Sequence, residues 1–169
     1  MKKVLLMLFI IPVFFACTEE ELEDEIINGK AMFYKNNKFD EWECCFVYSL
    51  SHKDFSVFFK KKNEVGYDRE TIRFEKFDNI FQEQYNDSLN ARYYSLIADG
   101  DVLQSSYRLD TTANNYFIID TFNESTSDVS GRFQLTMVLE EWYDWETQPE
   151  YDTIRFTEGQ FETRINFLD

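Results

Sequence analysis

The chain contains one histidine, His52, in "LSHKDF". A metal site built on several histidines therefore cannot form, and a Ser-His-Asp device would rest wholly on a residue in a turn. There is no G-x-S-x-G elbow and no H-E-x-x-H. With only five glycines in 169 residues, there is no glycine-rich phosphate loop either. Basic residues are also scarce, 17 against 32 acids. Such a surface repels nucleic acid and anionic headgroups, and it predicts cationic electrostatic partners. No catalytic residue, metal site or cofactor is expected from these motifs. Close carboxylate pairs, which a glycosidase would need, arise by chance among 32 acids. The loop "DTFNESTSD" (120–128) offers oxygen ligands but lacks the spacing and glycine of a calcium loop.

What is present begins with "MKKVLLMLFIIPVFFA", residues 1–16: two lysines, an apolar run interrupted by Pro12, and a small residue at Ala16. This is the layout of a secretory signal peptide. The run is about a dozen residues, against the roughly 20 of a membrane-spanning helix. The small residue directly before Cys17 resembles a bacterial lipobox, with Phe14 where leucine is usual. Cys17 then becomes an acylated N-terminus, and several acyl chains on one residue anchor stably. Cleavage nearby by an ordinary signal peptidase is the alternative. The following "TEEELEDE" carries six acids in eight residues. Like charges at this density stay solvated, so residues 17–26 read as an acidic tether and 27–169 as one domain. The run also resembles the export signal of surface lipoproteins in Bacteroidetes.

Removing residues 1–16 leaves 153 of the 169 residues; because Lys2 and Lys3 leave and no acid does, the net charge moves from −15 to −17. Two cysteines remain, Cys44 and Cys45 in "WECCFVYS". Neighbours on a strand point to opposite faces, so two free thiols are expected, one inward and one outward. A vicinal disulfide, an intermolecular bond and a metal site are the alternatives.

The folded part reads as strand after strand. Aromatics form 18% of the chain, a proportion suited to pleated half-buried surfaces. In "VSGRFQLTMVLEE", Val129, Gly131, Phe133, Leu135, Met137 and Leu139 share one face, the alternation of an antiparallel strand with one face solvated. "DTIRFTEGQFETRINF" alternates too, but its phase switches at Glu158–Gly159, which predicts a β-bulge or sharp bend there, or else two strands with a tight turn. Further strands are expected at 31–35, 42–49, 55–60, 71–77, 93–98, 105–109 and 116–122. "KNNKFD", "KKNEVGYD", "ADGD" and "DTTANN" supply the turns. The segment "FDNIFQEQYNDSLNAR" (77–92) is the least strand-like, reading as one short helix around 78–85 or as a long ordered loop. No βαβ alternation appears. "ETIRF" (70–74) and "DTIRF" (152–156) echo each other, through a duplicated half or through convergent strand composition.

The most site-like stretch is "EEWYDWETQPEYD" (140–152), where Trp142, Tyr143, Trp145 and Tyr151 are interleaved with acids. Aromatic faces beside carboxylates suit sugar stacking or a cationic protein partner. The bland alternative is that these rings cap the core.

"INGK" (27–30), "VSGRFQLTMV" (129–138) and "IRFTEGQFETRI" (154–165) resemble a family of small Bacteroidetes outer-membrane lipoproteins of unknown function. Its members show a "dGk" strand start, a late "isGtFsf" strand and a closing "itnGtF" strand. Gly131-Arg132-Phe133 and Gly159-Gln160-Phe161 stand at the last two. Residues 36–115 match only in strand character. The resemblance implies an all-β domain on the outer membrane and brings no activity. It also directs attention to the O-glycosylation pattern of that group, which "DSL" and "DTT" fit at Ser88 and Thr111.

Together these readings predict an antiparallel β-sandwich of about eight or nine strands, with a lipocalin-like closed barrel as the alternative. They point to a non-enzymatic, lipid-anchored module on the cell surface, binding glycan or a protein partner. A periplasm-facing envelope factor or inhibitor is the alternative, and a carboxylate-dependent hydrolase the more distant one.

Overall fold

The computed structural model describes residues 28–77, 83–86, 88–97, 102–143 and 151–168. The leader, Cys17 and the acidic tether lie outside the described residues. Ten strands form, with no helix among the described residues: β1 (Gly29–Lys35), β2 (Lys38–Ser49), β3 (Asp54–Lys62), β4 (Asp68–Phe77), β5 (Gln84–Tyr85), β6 (Ala91–Leu96), β7 (Leu103–Leu109), β8 (Tyr116–Asn123), β9 (Asp128–Trp142) and β10 (Thr153–Leu168). Nine match the expected strands, several running a turn longer. Of the segment 77–92, expected as a short helix or a loop, residues 78–82 and 87 lie outside the described residues, Gln84–Tyr85 form the short β5, and Ala91–Arg92 open β6. "KNNKFD" is mostly strand. Its turn is Asn36–Asn37 alone, at φ 49° and 67°. Positive φ at both central residues is what a two-residue hairpin of matching twist requires.

All ten strands belong to one sheet, and the sheet closes on itself. β2, β3, β4, β6, β7, β9 and β10 pair in that order, and β10 returns to β2. Seven strands that alternate in direction must meet once in parallel, and the parallel pair is β10–β2, Ile165–Leu168 against Phe46–Ser49. β1 enters between these two from the other end, pairing with both. β7 and β8 lie end to end along one edge of β9, against 137–142 and 128–134. The expected all-β architecture is thus realised as a ring-like sheet, in which a sandwich joined at its edges and a closed barrel converge.

Two short motifs explain how the longest pair, β9–β10, packs. Gly159 stands opposite Phe133, and Phe161 stands opposite Gly131. A Cβ on Gly159 would meet the Phe133 ring at 2.6 Å, and one on Gly131 would meet the Phe161 ring at 2.7 Å. Each glycine thus leaves room for its neighbour's phenylalanine, the arrangement by which an aromatic covers a glycine across a sheet. The phase change expected at Glu158–Gly159 is a bulge within one continuous strand. The register shifts between Phe156 and Gly159, and Glu158 adopts φ 54°.

The enclosed core is aromatic. Phe33, Phe46, Phe59, Phe74, Phe133 and Phe156 are at most 1% exposed. Their rings meet edge-on or tilted, as Phe33 does with Phe156 at 5.4 Å, while Phe117 and Phe161 stack at 5.0 Å. Such pairs add about 0.5–1.5 kcal/mol each beyond area burial. Cys44 and Cys45 are both free, as expected. Cys44 joins the core; Cys45 takes the opposite face of β2, yet it too is buried. Its cross-strand neighbour is Phe58, whose ring is covered in turn by the Arg73 guanidinium at 5.4 Å.

Candidate ligand site

Alternation carries a consequence at the strand ends. The inward phase on β1 runs Ala31, Phe33, Lys35; on β3 it runs Val57, Phe59, Lys61; on β4, backwards, Phe74, Ile72, Glu70. On β2 the same phase leads back from Trp42 to Asp40, and on β6 forward from Tyr93 to Ser95. All these ends lie at one end of the ring, the end that also bears the Asn36–Asn37 turn. The apolar interior therefore gives way to a charged, hydroxylated mouth.

Two adjoining cavities open there, of about 280 and 220 Å³, sharing Lys35, Glu70 and Tyr151. Lys35 is ion-paired with Glu70, and each side chain is 20% exposed. The Tyr93 hydroxyl donates to Glu70 Oε2 at 2.7 Å and accepts from Lys35 Nζ at 3.0 Å. Lys61 Nζ sits 2.5 Å from Asp40 Oδ2 and 4.0 Å from Glu70 Oε1, so it links the two carboxylates. Both ammonium groups lie over the buried Trp42 indole, Lys35 at 5.9 Å and Lys61 at 6.0 Å, and Lys35 is 4.9 Å from the Tyr93 ring. Burial pushes the Asp40 carboxyl up, but the Lys61 ammonium, the nearby Trp42 N–H and the Glu41 amide outweigh it, and Asp40 titrates below its ordinary value. The Trp42 Nε1 proton is buried and, although close enough for Asp40 to feel it, has no partner at hydrogen-bond geometry.

The aromatic stretch expected to form a site contributes to this mouth. Trp142 ends β9 and lines the larger cavity; Tyr151, 41% exposed, lines both. Tyr151 is held from below, its carbonyl accepting from the Tyr107 hydroxyl at 2.8 Å. Tyr143 is exposed, bonded through its hydroxyl to Glu141 and through its amide to Gln104 O. It does not line either cavity. Trp145 lies outside the described residues. On the mouth's other wall Ser95 and Ser105 share a hydrogen bond of 2.6 Å.

The other sequence candidates fall elsewhere. His52 sits exposed in the β2–β3 turn, its Nδ1 3.0 Å from the hydroxyls of Ser49 and Ser51. Ser88 and Thr111 are exposed residues of separate turns brought to the rim of one shallow depression, shared with Asn86 and Asn114. The echoing "ETIRF" and "DTIRF" place Ile72, Phe74, Ile154 and Phe156 in the core in the same phase.

Lys35, Asp40, Lys61, Glu70 and Tyr93 were not singled out by sequence reasoning. The available signal was the inward phase itself, continued to the strand ends, where a charge on an inward position is unusual. No family model, no curated protein and no solved structure matches the chain.

Proposed function

We propose that this chain is a non-enzymatic binding module of the bacterial cell envelope, anchored by lipid on Cys17 at the outer-membrane surface, which takes a glycan in the mouth of its sheet. The observation that carries the reading is the convergence of Trp142 and Tyr151 on the Lys35–Glu70–Tyr93 cluster. Aromatic faces supply stacking area, and fixed carboxylates and ammonium groups supply acceptors and donors for hydroxyls. The cavities stand at the small end of ligand pockets, which run from about 300 Å³ upward. Pre-formed bonds hold the polar groups in place, lowering the entropy cost of binding.

The carboxylates speak for binding over hydrolysis. A glycosidase acid needs a carboxyl held above its ordinary value, whereas Asp40 is held below. Glu70 already accepts from both Lys35 and Tyr93.

The test is titration of the mature protein with a panel of oligosaccharides, followed by tryptophan fluorescence and calorimetry. A binding glycan should quench fluorescence, and Trp142→Ala and Tyr151→Ala should each weaken it about tenfold or more, roughly 1.4 kcal/mol. Binding that both variants leave unchanged would place the site elsewhere. Replacing Cys17 by Ser should release the protein from the membrane fraction.

A further inference from the structure

We propose that the glycan taken by the mouth is anionic, carrying carboxylate or sulfate groups, and is presented as a short or terminal unit. This rests on the glycan reading above. The whole chain has 32 acids against 17 basic residues. The residues around the two cavities invert that balance. Among the described residues that line them, Lys35, Lys38, Lys61 and Arg69 face Asp40 and Glu70. An acidic composition does not produce a basic mouth by chance arrangement of its surface, so the inversion points to what the mouth receives.

Two of these cations are uncommitted among the described residues. On the outer face of β3, Lys60 is paired with Asp68 and Lys62 with Glu43. Lys38 and Arg69, by contrast, have no ion-pair partner among the described residues. Lys35 spends two of its three N–H donors on Glu70 and Tyr93. The buried Trp42 N–H, beneath the two ammonium groups, adds positive character without a hydrogen bond of its own. An anionic group entering the mouth can meet Arg69 on the wall of the larger cavity or Lys38 on that of the smaller, and gains charge-assisted bonds without breaking a pair among the described residues. Outside the mouth the surface carries the chain's excess of acids, 32 against 17 basic residues. That surface repels a long polyanion over roughly the 10 Å Debye length, so a short acidic unit or chain end is favoured over a continuous polymer.

The experiment compares matched pairs by calorimetry on the full mature protein: trigalacturonate against its methyl ester, and a sulfated chondroitin disaccharide against its unsulfated form. The expected result is that one acid form binds about tenfold or more tightly than its neutral or less charged mate, and that raising the salt reduces the advantage. Lys38→Gln with Arg69→Gln should abolish the advantage while leaving the urea midpoint unchanged, since neither side chain carries an ion pair among the described residues. The carboxylated and sulfated arms distinguish the two sources of charge. If the methyl ester binds as well as the acid while Trp142→Ala weakens both, the glycan reading stands and the anionic one falls. An advantage that survives in the double variant overturns the assignment to Lys38 and Arg69. If none of the four saccharides binds, the anionic proposal falls, and the wider panel decides the glycan reading separately.

Discussion

Gly159 on β10 and Phe133 on β9 are cross-strand partners, and the phenylalanine ring occupies the space a side chain at 159 would need, 2.6 Å from the position of its Cβ. Phe133 is fully buried, so the ring has nowhere to move. Gly159→Ala should therefore destabilise the fold by about 1–3 kcal/mol, the usual range for overpacking. Gly131→Ala should cost at least as much, because its Cβ would also press on the Ile118 carbonyl at 2.1 Å. Urea unfolding of the isolated domain measures both. Midpoints within error of the parent would show that the rings rearrange freely.

Glu158, one position earlier, makes the opposite prediction. It holds φ 54° in the bulge, a conformation that glycine adopts at no steric cost. Glu158→Gly should leave stability unchanged or raise it by up to about 1 kcal/mol. A clear loss would mean the Glu158 side chain contributes something that its exposed position does not suggest.

Lys35 and Glu70 offer a double-mutant cycle. Each side chain is only 20% exposed, and removing one leaves the other charge half-buried beside Tyr93. Lys35→Met and Glu70→Gln should each cost about 1–3 kcal/mol, and the double variant should lose less than the two losses added, by about 0.5–3 kcal/mol. Strict additivity would show that the pair does not interact energetically.

Asp40 gives the mouth a pH signature. Its pKa is lower in the folded chain than the ordinary 3.8, so its contribution to stability is present above about that value and is lost as the pH falls through the lower, folded one. Asp110 and Asp128 are shifted the same way by Thr112 and by Thr126 with Arg164, but both are surface groups. Urea midpoints should fall as the pH drops below about 4, and Asp40→Asn should flatten part of that fall. An unchanged slope in the variant would assign the acid sensitivity to the surface groups alone.

The cysteines should be silent in the native state. Burial raises the thiol pKa of both, Cys45's charge raises Cys44's further, and for Cys45 the Lys60 ammonium offsets only part of the rise. A thiol reagent should label neither at neutral pH until urea unfolds the chain, and then label both. Rapid labelling of one thiol in native protein would contradict the cover seen over Cys45.

Much of this architecture was legible in the sequence, because a pleated strand reports its own faces. The period-two run of 129–139 and the phase change at Glu158 translate directly into β9 and the β10 bulge. The first residues of β2 are not legible as strand, because Lys38 and Asp40, polar residues in the inward phase, resemble a loop. The mouth was half-legible. Trp142 and Tyr151 stood out by composition. Lys35, Glu70 and Tyr93 did not, since they come from β1, β4 and β6 and meet only through the order of strands around the ring. Local pattern tells which way a side chain points; it does not tell which other side chains point at it.

The parallel contact between β10 and β2 also bears on how the chain must be made. Asn166 donates to the Phe46 carbonyl across 120 residues of sequence. The seam therefore closes only once β10 has been made, about 120 residues after its partner edge on β2. During synthesis that edge stays an open template for strand addition until β10 arrives. Without Ile165–Leu168 that edge of β2 would stand unpaired, a hazard out of proportion to so short a stretch.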